Sequence, residues 1–336
     1  SYKAPFWWYN DRGPIPALLS PFGFLYDLAN RVRWSVTNPY RSRLPVICIG
    51  NFTAGGGGKT PTAIAITKLL IDMGEKPAFL TRGYGGRIIG PHIVEPGKDL
   101  AEQVGDEPLL LARYALTIVS RNRPAGVEFI ETTDSTVVVM DDGFQNPTLK
   151  KNLSIITIDS RGLIGNGRVI PAGPLRASLS FQLRKTNLIV AIGDNQSSGS
   201  LLANMKSDYG LEVAYATYQP GGDVDWITSQ PLIAFCGIAR PEKFFDTLEQ
   251  LGGKISHKIG FPDHHKYSPA EAEQLLDLSR NTGHQLVTTE KDLVRLIHHS
   301  NRLGALRSKT RALAIEIAFD QRSEDVMITF LKNAIT

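Results

Sequence analysis

The chain of 336 residues is 42% apolar and 21% charged, with a formal net charge of +4. This balance excludes a disordered or fibrous protein and is enough for two cores of ordinary size. Six basic residues against two acidic ones fall at or before Arg43, so the remainder is electrically balanced; this disfavours a globally basic nucleic-acid binder, no nucleic-acid partner is expected, and a local interaction surface is expected at the N-terminus. Cys48 and Cys236 each sit inside an apolar run. They read as small core residues in a reducing compartment, not as a disulfide or a metal site.

The N-terminal stretch, residues 1–43, is rich in aromatics. Its uncharged run from Gly13 to Tyr26 is interrupted by prolines and is shorter than the roughly 20 residues a spanning helix needs. With Ser20 as N-cap and Pro21 at the first helical position, the spacing predicts a helix carrying Phe22, Leu25, Ala29 and Val32 on one face and Asp27, Asn30 and Arg31 elsewhere. Such an amphipathic helix either lies on an anionic bilayer or packs on its own domain, and both hold if only part of the face is covered.

From Leu44 onward, strand-like and helix-like segments alternate: strands at 46–49, 77–81, 117–120, 136–140, 154–158 and 188–192, with helices at 61–73 and 107–115. The alternation predicts a parallel sheet with helices on both faces, of the phosphate-loop NTPase kind, over residues 44–220. A looser Ser/Asn-rich connection, containing a strand at 211–218, marks a boundary near Gly222. A smaller α/β unit over 221–336 follows, with strands at 232–236, 254–259, 285–288 and 311–318 and helices at 241–251, 269–282 and 324–334.

After the first strand comes "GNFTAGGGGKTPTA". A glycine-rich turn between strand and helix converges backbone N–H groups on phosphate oxygens at the positive end of the helix dipole. Thr53, Ala54, Gly55, Gly56, Gly57 and Gly58 form the expected turn; Lys59 reaches the β- and γ-phosphates of ATP, and Thr60 holds Mg²⁺. Thr53 stands where a strict phosphate loop has glycine. In "TVVVMDDGFQN" an apolar strand ends in Asp141 and Asp142, at the edge where such enzymes place the acids that hold magnesium or its water.

"VGDEP" puts Asp106 and Glu107 at a helix start, where acids also serve simply as caps. "FPDHHKY" puts Asp263, His264 and His265 in the second unit, too tightly spaced for zinc. An Asp paired with a His across a cleft is a general base for a hydroxyl nucleophile. Arg82, Arg123 and Arg176 lie at strand-to-helix connections, where they are candidates to stabilise a transferring phosphoryl group or are plain structural arginines.

Taken in order, "GNFTAGGGGKTP", "TRGYGG", "VGDEP", "DDGFQ", "PAGPLR", "FPDHHKY" and "TEKD" resemble the tetraacyldisaccharide 4′-kinase family, from about Asn10 to near the end of the chain. The family's Gly-Asn-x-Thr accounts for Thr53. The resemblance implies an ATP- and Mg²⁺-dependent enzyme that phosphorylates the 4′-hydroxyl of a tetraacylated glucosamine disaccharide 1-phosphate to give lipid IV-A. It also implies a peripheral position on the cytoplasmic face of the inner membrane, with no obligate protein partner. It makes Lys59 and Thr60 the phosphate and magnesium ligands, Asp141 and Asp142 the magnesium-side acids, and Asp106 a base paired with His264, with His265 as the fallback. Tyr84 and Arg176 fall beside substrate or phosphates, together with Glu107. Ala177 departs from the pattern, since members often carry an acid there. Two rival readings are another phosphate-loop kinase or ligase for a small molecule, and a membrane-surface regulatory ATPase.

Overall fold

Val46–Gly50 is apolar on both sides of its pleat and every residue in it is buried, which only a strand covered on both faces permits. In the computed structural model, which describes residues 4–9, 13–55, 57–160, 162–193, 199–238, 240–296 and 302–336, this strand, β1, lies inside a twelve-stranded sheet. The others are β2 (Pro77–Thr81), β3 (His92–Ile93), β4 (Leu116–Val119), β5 (Val137–Asp141), β6 (Leu153–Asp159), β7 (Leu188–Ile192), β8 (Glu212–Gly221), β9 (Leu232–Cys236), β10 (Ile255–Gly260), β11 (Gln285–Thr289) and β12 (Thr310–Phe319). Their order is β10-β9-β11-β12-β8-β7-β6-β1-β5-β2-β4-β3.

From β8 to β4 the ladders are parallel, so the ends of β1, β2, β4 and β5 share one edge. Val46 and Cys48 point into one core and Ile47 and Ile49 into the other. The second core receives the helices Lys59–Asp72 and Gln321–Ile335, the latter through Met327 and Leu331. The closing helix therefore returns to the first unit, although it follows the second in sequence.

The two units are not separated by a break in the sheet. Thr310–Leu313 of β12 pair in parallel with β11, while Ala314–Phe319 pair antiparallel with β8. Helix Glu290–Arg295 of the second unit packs on helix Asp106–Leu111 of the first, and Val294 joins Val94, Val104 and Leu109 in a small core between them. A helix at Gly199–Tyr209 also occupies part of the connection that composition marks as loose.

The N-terminal helix runs Pro14–Val36, so Ser20 is not its cap: Ser20 Oγ donates to the Pro16 carbonyl inside the helix. Prolines in a first turn cost little, because those N–H groups have no helical partner, and this lets the helix begin earlier than the Ser-Pro signal implies. Its polarity is inverted. Pro16, Ser20, Gly23, Asp27, Asn30 and Trp34, spaced four and three apart, are its less exposed stripe. Asp27 accepts from the Ser178 amide at 2.7 Å, and Asn30 Nδ2 donates to the Arg176 carbonyl at 3.2 Å. Leu18, Phe22, Leu25 and Val32 face outward. Among the described residues, no helix is long and apolar enough to cross a membrane.

Candidate active site

At the end of β1 the chain turns through the glycines into helix Lys59–Asp72. Gly58 caps that helix with φ +78°, and a Cβ there would come within 2.4 Å of Ile192 Cδ1 and 2.7 Å of the Tyr218 hydroxyl, so only glycine fits. Asn51 Nδ2 donates to the Gly55 carbonyl at 3.0 Å, and Lys59 Nζ donates to the same carbonyl at 3.2 Å. Gly56 lies outside the described residues. Thr53 and Ala54 are placed by hydrogen bonds to their backbone rather than by glycine freedom: the Ala54 amide donates to the Pro174 carbonyl at 2.8 Å, and the Arg176 side chain donates from Nε to the Thr53 carbonyl at 3.1 Å. The "PAGPLR" segment thus clamps the entrance of the loop.

β5 delivers Asp141 beneath this loop. Thr60 Oγ1 donates to Asp141 Oδ2 at 3.2 Å, while Asp141 Oδ1 is buried without a hydrogen-bond partner. Burial, then the charges of Glu107 and Asp142, push the Asp141 carboxyl up to about 7. An orphaned carboxylate oxygen beside a threonine hydroxyl at a phosphate loop fits Mg²⁺. Asp142 is already paired, with Arg176 Nη1 at 3.3 Å and Lys59 Nζ at 3.8 Å. Among the described residues no group of three or more His, Cys, Asp or Glu forms a metal site by itself. That suits an ion whose remaining ligands are phosphate oxygens and water.

The second half of the site begins at Gly105. With φ +96°, it admits the Tyr84 carbonyl to within 2.6 Å of where a Cβ would stand, which sets the Tyr84 loop against the start of helix Asp106–Leu111. Gly105, not Asp106, is the cap of that helix. Asp106 Oδ1 accepts from the Glu107 amide at 3.0 Å; Oδ2 faces His264 Nδ1 at 3.0 Å and accepts from Arg295 Nη2 at 2.5 Å and Nε at 3.1 Å. Burial opposes the charged form of Asp106. The His264 hydrogen bond and the charges of Arg295, His264 and Lys291 outweigh it and hold the carboxyl well below the usual carboxylate range. His264 is raised above the ordinary imidazole value, first by its hydrogen bond to Asp106.

Behind this pair stands Asp292, fully buried, which accepts from the Gly237 amide, the Tyr267 hydroxyl and Arg295 Nη1. Arg295 therefore links two buried carboxylates, with side-chain exposures of 7% for the arginine and 5% for Asp106. Removing one partner of a buried ion pair strands the other charge, so Arg295→Leu is expected to destabilise the fold by about 3–5 kcal/mol. Urea unfolding of the two proteins checks this; equal midpoints and slopes would remove Arg295 from the framework.

The sequence candidates separate in space. His265 does not face Asp106: its Nε2 lies 3.0 Å from Glu271 Oε1 and its ring stacks on Phe261 at 4.7 Å. Arg123 is turned inward, donating to the Ser120 carbonyl at 2.9 Å, and burial lowers it to about 10 against the opposing charges of its neighbours, Asp141 and Asp142 among them. Arg82 is exposed at the end of β2. Tyr84 is exposed, with its ring centroid 5.9 Å from that of His264. It lines a cavity of about 160 Å³ with Asp106, His264 and Arg295. Glu107 accepts from Lys291 Nζ at 2.6 Å.

Residues 15–335 match the family described as tetraacyldisaccharide-1-P 4′-kinase. The chain belongs to the tetraacyldisaccharide 4′-kinase family. A tetraacyldisaccharide 4′-kinase from Methylorubrum populi is 45% identical over 320 residues, covering 95% of this chain and 94% of the relative. Another from Parvibaculum lavamentivorans is 44% identical over 296 residues, covering 87% and 86%. The crystal structure of LpxK from Aquifex aeolicus in complex with ATP superposes with a TM-score of 0.77 at 26% identity, covering 96% of this chain and all of that one. This member of the family is thus an ATP-dependent kinase with the expected α/β fold.

Within this kinase, residues that the sequence left without a role complete the site. Lys291 and Arg295 reach Glu107 and Asp106 from the helix that starts in "TEKD". Gln145 and Gln182 bond to each other and to the carbonyls of Asn51 and Phe52, holding the stretch before the glycines. The available signal was the Thr289-x-x-Asp292 cap. It marks a helix pointed at the cleft but not the residue one turn further on.

Proposed function

We propose that the protein transfers the γ-phosphate of ATP to the 4′-hydroxyl of a tetraacyldisaccharide 1-phosphate, giving lipid IV-A for lipid A synthesis. The reading is carried by one juxtaposition. Asp106 holds His264 of the second unit, while its neighbour Glu107 acts electrostatically on Asp141 beneath the phosphate loop. Donor and acceptor ends of a phosphoryl transfer therefore meet at two consecutive residues.

The phosphate loop and Lys59 bind the phosphates, and Arg176 sits beside them on Asp142. Thr60 and Asp141 hold Mg²⁺, which when bound offsets the negative charge of the phosphates. The sugar oxygen forms its bond to the γ-phosphorus as the bond to the β-γ bridging oxygen breaks, and ADP leaves. The hydroxyl proton passes to His264 Nε2, because Asp106 is buried, held ionised by Arg295 and already accepts on both oxygens. Asp106 orients the imidazole through Nδ1–H and stabilises its charged form, the division of labour familiar from Asp-His pairs.

Residues 1–43 serve membrane contact, 44–220 supply the nucleotide site and Asp106, and 221–336 supply His264 and Arg295 and close over the cleft, except for the helix Gln321–Ile335, which packs on the first unit. A peripheral position on the cytoplasmic face of the inner membrane, against anionic lipids, is supported by the helix Pro14–Val36, which spends its polar residues on the protein and turns its apolar ones outward. The decisive test is transfer of labelled γ-phosphate from ATP to purified tetraacyldisaccharide 1-phosphate. Labelled lipid is expected only with Mg²⁺, and Asp141→Asn is expected to lower turnover on the order of 10²–10³-fold. ATP hydrolysis without labelled lipid would instead favour a regulatory ATPase.

A further inference from the structure

Where the helix Pro14–Val36 ends, Trp34 carries two ammonium groups over its ring, with Lys185 Nζ at 4.2 Å and Lys151 Nζ at 4.9 Å from the centroid. Phe181 meets the same indole edge-on at 6.1 Å and takes Lys185 at 4.9 Å from its own ring. Lys151 is fixed by donating to the carbonyls of Phe144 and Asn146 at 3.2 and 2.5 Å. A cavity of about 340 Å³ opens beside Trp34 and Thr37; Lys150, Lys151, Arg184 and Lys185 line it, and none of its lining residues is acidic. Among the described residues, no carboxylate pairs with any of these four cations.

We propose that this cavity binds the phosphate of an anionic phospholipid headgroup, with Arg184 and Lys185 as its ligands, Lys151 as a fixed charge in its wall and Trp34 as its floor. Cation–π contact alone accounts for Lys151 and Lys185 but not for Lys150 and Arg184, and like charges gathered without a counter-ion repel one another. Burial lowers the pKa of both Lys151 and Lys185, and for Lys151 the neighbouring charges of Lys185 and Arg123 lower it further, so each gains from an arriving anion. The position selects the source. Val32 and Val36, on either side of Trp34 in sequence, are exposed members of the outward apolar face, so a helix immersed to that depth brings the cavity to headgroup level. Phosphate is the shared chemistry of a lipid headgroup and the free ion, and the adjoining apolar face favours the lipid.

The inference rests on the membrane reading above, and the experiment separates the two. Full-length protein is floated with vesicles of phosphatidylcholine alone and with vesicles containing phosphatidylglycerol, as wild type, as Arg184→Gln/Lys185→Gln and as Phe22→Glu. A basic residue near an anionic leaflet is worth about fivefold in partitioning, so the double variant should lose about 25-fold of the phosphatidylglycerol binding and none of the binding to phosphatidylcholine. Phe22→Glu should weaken binding to both. Phosphatidylglycerol should also change the tryptophan fluorescence of wild type, and Trp34→Phe should reduce that change to the part that comes from Trp7 and Trp8, which lie in the same membrane-contacting segment.

Unaltered phosphatidylglycerol binding by the double variant would overturn the site and leave the membrane reading standing. The same holds if Lys254→Gln/Lys258→Gln, remote in sequence and placed in the second unit, caused an equal loss. Wild type bound to neither vesicle would overturn both. If millimolar inorganic phosphate, at constant ionic strength, lowered wild-type binding to phosphatidylglycerol to the level of the double variant, this would be a free-phosphate site and the lipid assignment would be overturned.

Discussion

His264→Asn should lower kcat for lipid phosphorylation by about 10²–10⁴-fold, the usual contribution of a general base, while the Kd for ATP stays at the wild-type value. The imidazole faces Asp106, Asp263, Arg295 and Tyr84, and its pKa is raised from 6.5 chiefly by the Asp106 hydrogen bond. A base must be unprotonated to act. Wild-type kcat/KM is therefore expected to fall as pH drops through a value above 6.5, and His264→Asn should lack that acidic limb. Asp106→Asn separates the two candidates for the proton. If Asp106 only orients the ring, its loss lets the imidazole pKa fall back, and the limb moves to lower pH with reduced kcat. A limb that survives in His264→Asn and vanishes in Asp106→Asn would assign proton acceptance to the carboxylate.

The same pair shows what could be read from the sequence. The phosphate loop and the Asp141-Asp142 edge were legible because their chemistry is local: glycines, lysine and threonine follow one strand, and acids end another. Buried strands such as Pro77–Thr81 and Leu188–Ile192 were legible for the same reason, as short apolar runs between breaks. His264 and His265 are adjacent and chemically identical, so only the fold separates them: His264 adopts φ +56°, its amide donating to the Gly237 carbonyl, while its neighbour stacks on Phe261. Arg295 gave no signal, since its meaning lies in carboxylates 189 residues and three residues away. The antiparallel join of β8 to β12 was hidden too, because ladder direction depends on pairing partners that strand patterns do not name. The start of the N-terminal helix was misplaced by Ser20-Pro21, a cap signal overridden by docking: Ser20 Oγ also accepts from Arg168 at 2.8 Å.

That docking gives the prediction with the largest physical consequence. Leu18, Phe22 and Leu25 are 71%, 61% and 60% exposed on a helix whose other side is spent on Asp27, Asn30 and Ser20 contacts. Water is a poor environment for such a face, and full immersion of each side chain is worth about 1.5–3 kcal/mol. Replacing all three with glutamate should reduce binding to phosphatidylcholine vesicles by about 10³-fold or more, a loss too large for screening or a single contact to produce. The side chains are exposed, so unfolding stability should change by less than about 0.5 kcal/mol per site. KM for ATP should be unchanged, and KM for lipid substrate presented in vesicles should rise. A triple variant that floats like wild type would show that the face does not enter the bilayer. If sedimentation instead showed a wild-type dimer that the substitutions split, the apolar face would be a contact between two copies of the chain. A kinase for a lipid acceptor gains effective concentration by lying on the surface that presents the lipid, and on this helix the polar seam is what leaves the apolar face free for such a surface.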